Sequence, residues 1–351
     1  MTATNNPANK SDTAAHHGSA ADAGLPPWVQ TSVNLADARL GARALACSDD
    51  FFAPKERMLQ PGPAVFIAGK YDDNGKWMDG WESRRRRGPG HDWCIVALGV
   101  AGHITGFDID TRHFTGNFPP SASIDACPQG ADPQSDANWV CVLPAVALAG
   151  DRQQFFPAHG AQGVYSHVRL NIFPDGGVAR LRVYGRPSPA NVQRGPDGLV
   201  DLLALVNGGH PLAWNNAHFG ACANLLLPGR GADMGEGWET RRRREPGHDW
   251  CLLALGIAGR VRRVEVDTAH FKGNYPDRCS LQATWAPDAS AASIVAQSQF
   301  WSGLLPEVKL NADAIHIFES ECIDLGAITH VRFNLHPDGG VSRLRLWGEP
   351  A

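Results

Sequence analysis

The sequence predicts an all-β protein built from two tandem repeats, each an antiparallel two-sheet β-sandwich of jelly-roll type. Three observations carry this expectation. The chain matches itself: Gly80–Gly99, GWESRRRRGPGHDWCIVALG, returns as Gly237–Gly256, GWETRRRREPGHDWCLLALG, identical at 16 of 20 positions. Such density means internal duplication. Apolar residues fall in short runs or alternate, with no strong amphipathic helix. Gly (38) and Pro (25) are abundant, which favours many turns and short strands.

Taken in order, residues 1–27 are rich in Ala, Ser, Asn, Asp and Gly and read as a disordered tail, with His16 and His17 incidental. Residues 28–187 form the first repeat, 188–198 a Pro- and Gly-rich linker, and 199–351 the second repeat. Asn34–Leu59 has a weak partner in Asp201–Leu226. The polar Ser48-Asp49-Asp50 is set against Trp214-Asn215-Asn216, so an acidic role there belongs to repeat one alone. Repeat one then carries ten extra residues around Pro63–Gly80, against the shorter Gly229–Gly237. A short helix is expected over Leu199–Gly208.

The duplicated block compresses Trp, Glu, four Arg, a turn and His-Asp-Trp ahead of an apolar run, Cys94–Val100 or Cys251–Ile257, that reads as a buried strand. If extended, Arg84–Arg87 send two guanidinium groups to each face. Planar guanidinium forks suit carboxylates and ureido oxygens. The bland alternative is a solvated basic strip paired to Glu82 and Asp92. Downstream, Asp110, His113 and Asn117 recur as Asp267, His270 and Asn274. Asp110, His113, Asp267 and His270 are candidate ligands for a divalent ion, Mn or Ca; turn hydrogen bonds are the competing use. No organic cofactor is expected. Each repeat closes on His167–Gly185 or His330–Gly348, identical at 13 of 19 positions, where alternation around Pro-Asp-Gly-Gly reads as a hairpin of two paired strands.

The net charge of −4 gives no field for nucleic acid. No apolar stretch is long enough to span a membrane, and the N-terminus lacks a signal-peptide core. Eight Cys without a CxxC pair read as reduced thiols, and a cytoplasmic location is expected. A homo-oligomer is the expected assembly.

The run GWE-S/T-RRRR-x-PGHDWC, then D-x-DT-x-HF-x-GN-F/Y-P, then HVR-x-N-x-x-PDGG-V-x-RLR, resembles the allantoicase family in both repeats, from about Trp28 onward. Cys47–Glu56 (CSDDFFAPKE) and Asp233–Arg244 (DMGEGWETRRRR) are similar to family segments as well. The resemblance implies two galactose-binding-like jelly-roll repeats. It also implies hydrolysis of allantoate to ureidoglycolate and urea in purine and allantoin catabolism. Allantoate is a small anion with one carboxylate and two ureido groups on a single carbon. Arg84, Arg85, Arg86, Arg87 and Arg241, Arg242, Arg243, Arg244, with Asn117 and Asn274, are the candidate substrate contacts. Glu82, His91, Asp92, Glu239, His248 and Asp249 are the candidates for proton transfer. The Asn215-Asn216 departure bears on whether both repeats keep a site. The rival reading is a non-catalytic carbohydrate- or anion-binding tandem sandwich. Against it, neutral sugars give no reason for eight Arg in two blocks. A metal-dependent amidohydrolase releasing ammonia from allantoate is a neighbouring enzyme class.

Overall fold

The computed structural model describes residues 25–351 apart from 31, 189–191 and 193. Residues 1–24 of the tail, and residues 189–191 and 193 of the linker, therefore lie outside the described residues, while the tail's last residue opens the short helix Pro27–Gln30. In repeat one the strands are β1 (Val33–Asn34), β2 (Arg43–Cys47), β3 (Tyr71–Asp72), β4 (Gly75–Lys76), β5 (Trp81–Glu82), β6 (Asp92–Asp110), β7 (Ser121–Pro128), β8 (Val140–Ala147), β9 (Gln153–Pro157), β10 (Tyr165–Phe173), β11 (Gly177–Val178) and β12 (Arg180–Pro187). Their order is β1-β12-β6-β10-β7-β8, with β2 and β9 also on β6, and every pairing is antiparallel.

The organising element is β6. Its first half, Asp92–Ala97, pairs with β2 and β10; its second half, Gly102–Asp110, pairs with β12, with β9 joining over Gly106–Asp110. One strand thus serves both layers of the sandwich and bends between them. The bend needs close backbone approach: a Cβ on Gly99 would sit 2.7 Å from the Leu40 carbonyl, and one on Gly102 2.4 Å from the Arg186 carbonyl oxygen. Repeat two repeats this plan around Asp249–Asp267.

Alternation fills the space between the layers. Val168, Leu170 and Ile172 of β10 and Leu181 and Val183 of β12 are fully buried, beside Trp81, Phe107 and Ile109. Trp238 and Phe333 hold the same places in the second core. Trp81 is sealed and its indole N–H donates to the Asp49 carbonyl at 2.8 Å, so the polar atom is satisfied. Truncating such a residue costs about 3–5 kcal/mol.

Two expectations are corrected. The strands flanking Pro-Asp-Gly-Gly are not a hairpin: β10 pairs with β6 and β7, while β12 pairs with β6 and β1. The link between them crosses the sandwich edge because other segments tie it down. Asp92 N–H donates to the Pro174 carbonyl and Ser83 N–H to the Gly176 carbonyl, and Gly176 takes φ +142. Leu199–Gly208 is not an α-helix either. It opens with strand Val200–Asp201 and ends in a 3-10 turn, Leu205–Asn207, closed by Gly208 at φ 99.

Candidate active site

The polar block leaves the core at β5. Trp81 and Ser83 point inward and are buried, so Glu82 and Arg84 take the outer side of the same short strand. β5 is fixed on both flanks, by Gly177 and Val178 of β11 and by Ala53.

Glu82 is half-buried. The Asn117 amide donates to its Oε1 at 2.7 Å. Burial pushes its carboxyl pKa up, and the Asn117 hydrogen bond opposes that shift. Glu239 and Asn274 repeat the contact at 2.5 Å.

The four Arg of repeat one divide into two kinds. Arg84 donates its backbone N–H to Asp49 Oδ1 at 2.8 Å and its Nε to Oδ2 at 2.7 Å. Arg84 and its neighbours hold Asp49 below the usual carboxylate range against a partial burial that works the other way. Arg86 reaches Asp92 Oδ1 through Nε at 3.2 Å and Nη2 at 2.6 Å, and its backbone N–H donates to Asp175 at 2.8 Å. The Ser48 hydroxyl also donates to Asp92, at 2.9 Å. Arg85 and Arg87 are exposed, and their guanidinium groups have no hydrogen bond or ion pair among the described residues. The expected split of two per face is therefore a split between structural and free cations. Asp92 does hold a guanidinium; Glu82 holds none.

Repeat two keeps the scaffold and moves one charge. Asn215 occupies the Ser48 position, with its amide 2.9 Å from Asp249 Oδ1 and its oxygen accepting from Trp250 N–H at 2.8 Å. Asn216 occupies the Asp49 position and accepts from Arg241 N–H at 2.9 Å. The register set from sequence is thus off by one: Ser48-Asp49 matches Asn215-Asn216, and Asp50 matches Ala217. The acid lost at 216 reappears as Glu245, which pairs with Arg241 at 3.4 Å and Arg243 at 3.5 Å. Arg243 approaches Asp249 at 3.3 Å without a well-directed hydrogen bond, and its Nε is a buried donor with no partner. The Arg242 and Arg244 guanidinium groups have no partner among the described residues. Asn215, Asn216, Arg241, Arg243, Glu245 and Asp249 line a small pocket here.

The His-Asp neighbours face opposite ways. His91 contacts Asn171 Oδ1 at 3.3 Å and packs on the Phe173 ring, while His248 contacts Asn334 Oδ1 at 3.2 Å beside His336. Burial lowers the His248 pKa, with His336 and Arg332 adding to the effect. His91 and His248 are thus braced on the strand rather than joined to Asp92 and Asp249.

The proposed metal ligands do not converge. Asp110 is buried and occupied by the Arg112 backbone N–H and guanidinium. His113 sits at φ 71 with its ring on the Ala64 carbonyl at 3.1 Å. Asp267 binds Arg230 and Ala269 N–H, and the His270 ring contacts the Gly231 carbonyl at 2.8 Å. Among the described residues no group of three or more His, Cys, Asp or Glu stands in ligand geometry. Turn hydrogen bonding, the alternative use of this segment, takes up the two Asp, while the two His rings rest on carbonyls of distant loops, and so placed the four do not fit a divalent ion.

Sequence reasoning passed over Asp175 and Asp338, whose carboxylates accept from the Arg86 and Arg243 backbone N–H, because they sit in what read as a hairpin turn. It also passed over Asn171 and Asn334. Their signal was present: a polar residue in the middle of an apolar strand.

Comparison with known proteins decides the family. The sequence profile of the allantoicase repeat matches residues 33–188 and again residues 200–351. The chain belongs to the allantoicase family. A probable allantoicase 2 of Burkholderia pseudomallei is 58% identical over 331 residues, 94% of this chain and 98% of that one. A probable allantoicase of Rhizobium meliloti is 52% identical over 331 residues, covering 93% and 96%. The crystal structure of allantoicase from Saccharomyces cerevisiae superimposes with a TM-score of 0.77 at 33% identity, covering 95% of this chain and 99% of that one. The tandem all-β architecture read from the sequence is that of this family, and the non-catalytic alternative finds no support. No helix among the described residues is long and apolar enough to cross a membrane.

Proposed function

We propose that each repeat carries a site for the allantoicase reaction at the outer edge of its Trp-Glu strand, with Glu82 or Glu239 as the proton-transfer group. The chain is a hydrolase that converts allantoate and water to ureidoglycolate and urea. The observation that carries the placement is the same arrangement found twice: a half-buried Glu, touched by one Asn amide at 2.7 or 2.5 Å, two residues ahead of a block holding guanidinium groups without partners.

The chemistry follows from these parts. Arg85 and Arg87, or Arg242 and Arg244, are free to clamp the substrate carboxylate, whereas Arg84 and Arg86 are committed to Asp49 and Asp92. Burial favours the neutral acid of Glu82, so it can donate a proton to the departing ureido nitrogen as the C–N bond breaks. The nitrogen lone pair of the remaining ureido group stabilises the electron-poor carbon. The resulting Glu carboxylate then takes a proton from water as its oxygen bonds to that carbon, restoring the acid. Urea leaves with one proton, and the hydroxyl stays on ureidoglycolate. Asn117 and Asn274 fix the carboxyl rotamer.

Urea release from allantoate by the purified protein, with products separated as urea or ammonia, tests the reading. Urea in equimolar amount to ureidoglycolate supports it; ammonia in place of urea, or no product, overturns it.

A further inference from the structure

A cleft of ≈ 860 Å³ opens between the two repeats, away from both Arg blocks. Repeat one lines it with the β6 bend at Gly99–Ala101, and repeat two with the 228–230 loop and the strand Arg343–Pro350. Its volume is in the range of small-molecule sites, which favour domain interfaces.

The floor of the cleft differs from the equivalent surface of repeat one. There Arg180 is more fully engaged. Arg180 donates to the Gly62, Arg57 and Asp79 carbonyls and pairs with Asp79 at 2.7 Å, and Arg182 donates to the Pro61 and Gly62 carbonyls. The counterpart Arg343 is as deeply set, 3% exposed, but its acid Glu236 stands off at 3.7 Å, and Arg345 beside it, 8% exposed, holds Asp201 only at 3.5 Å. Arg343 Nη2 and Arg345 Nε make no hydrogen bond among the described residues, and neither is a sealed buried atom. Burial and the neighbouring Arg345 lower the Arg343 pKa, the sign of two cations close together. Four guanidinium groups line the cleft, with Arg194 and Arg230 joining this pair, against three carboxylates, Asp201, Glu265 and Asp267. The Trp347 indole and apolar Leu40, Val206 and Ile315 complete it.

We propose that the inter-repeat cleft binds a small organic carboxylate, held by the free donors of Arg343 and Arg345 with its apolar part against Trp347. Planar forks side by side on one strand face match carboxylate oxygens better than a tetrahedral anion. The site stands apart from the reaction site of either repeat.

Titration calorimetry on the full chain tests this with malonate as probe, and with inorganic phosphate and neutral malonamide as comparisons. Malonate is expected to bind once in the cleft, at least tenfold tighter than either comparison and than any binding at the Arg blocks. Arg343→Lys weakens it about tenfold. Because Arg343 is buried, two milder variants support the test. Arg230→Ala weakens binding, and Ala101→Trp, which fills the cleft, removes it while leaving urea release and the melting temperature unchanged. Arg85→Ala with Arg87→Ala leaves malonate binding as in the parent, which separates this site from the reaction site. The proposal is overturned if malonate does not bind, if phosphate binds as well, if binding survives Ala101→Trp, or if it vanishes with Arg85 and Arg87.

Discussion

Replacing Arg86 and replacing Arg85 by Ala are expected to have opposite consequences, although the residues are neighbours of one type. Arg86 is 31% exposed in its side chain and gives two hydrogen bonds, 3.2 and 2.6 Å, to an Asp92 carboxylate only 2% exposed. Its loss leaves Asp92 with the Ser48 hydroxyl as its remaining side-chain donor. Breaking a buried pair costs about 3–5 kcal/mol; with the guanidinium a third in solvent, about 2–3 kcal/mol is expected. For a unit of this size that lowers the melting temperature by about 4–12 °C. Arg85→Ala removes no hydrogen bond or ion pair among the described residues, so stability stays within about 0.5 kcal/mol. Under the proposed carboxylate clamp it removes charge-assisted hydrogen bonds to substrate, about 1.5–3 kcal/mol, or about ten- to hundredfold in kcat/KM. The assay is calorimetric melting together with urea release, run in a Glu239→Gln background so that repeat one alone turns over. An unchanged kcat/KM for both Arg85→Ala and Arg87→Ala would refute the division into free and structural cations, as would an Arg86→Ala protein that melts like the parent.

Three further outcomes follow from the same contacts. Arg85→Lys keeps the charge but loses the fork, so KM rises while kcat changes less; equal kinetics with Lys would mean a point charge suffices. Asn117→Ala removes the hydrogen bond that holds the Glu82 pKa down, so that pKa rises and the alkaline limb of kcat, measured with Glu239→Gln, moves to higher pH; a limb that stays put or moves down contradicts the general-acid role. Burial lifts Asp108 from 3.8 to about 6, so the folded protein binds more protons than the unfolded chain in that window and stability falls as pH rises through it. Asp108→Asn flattens that fall by no more than about 3 kcal/mol between pH 3.5 and pH 7 in denaturant titrations, and an unchanged slope counts against it.

Much of the fold was legible because duplication and alternation are strong local signals. The apolar run after each Asp-Trp became the 19-residue strand shared by both layers. Pairing was less legible: the pattern around Pro-Asp-Gly-Gly names two strands, but the link between them is tied down by the backbone bonds of Ser83 and Asp92, from a distant part of the chain. At the site, residue types pointed to Glu82 and the Arg blocks. Which Arg are free depended on Asp49 and Asp92 folding back on them, a tertiary fact. The Asn215-Asn216 change looked like a lost acid, and only the placement of Glu245 beside Arg241 and Arg243 shows where the charge went. The Asp-Thr-x-His segment carried metal-like residue types, yet its Asp side chains are used in turns and its His rings on the carbonyls of distant loops.

The central claim is that Glu82 and Glu239 move the proton. Urea release by the Glu82→Gln, Glu239→Gln double variant tests it most directly, with melting as the fold control. The account predicts that each single variant keeps part of the activity. The double variant should lose it by about 10²–10⁴-fold at an unchanged melting temperature. A double variant that folds and releases urea within threefold of the parent rate would contradict it.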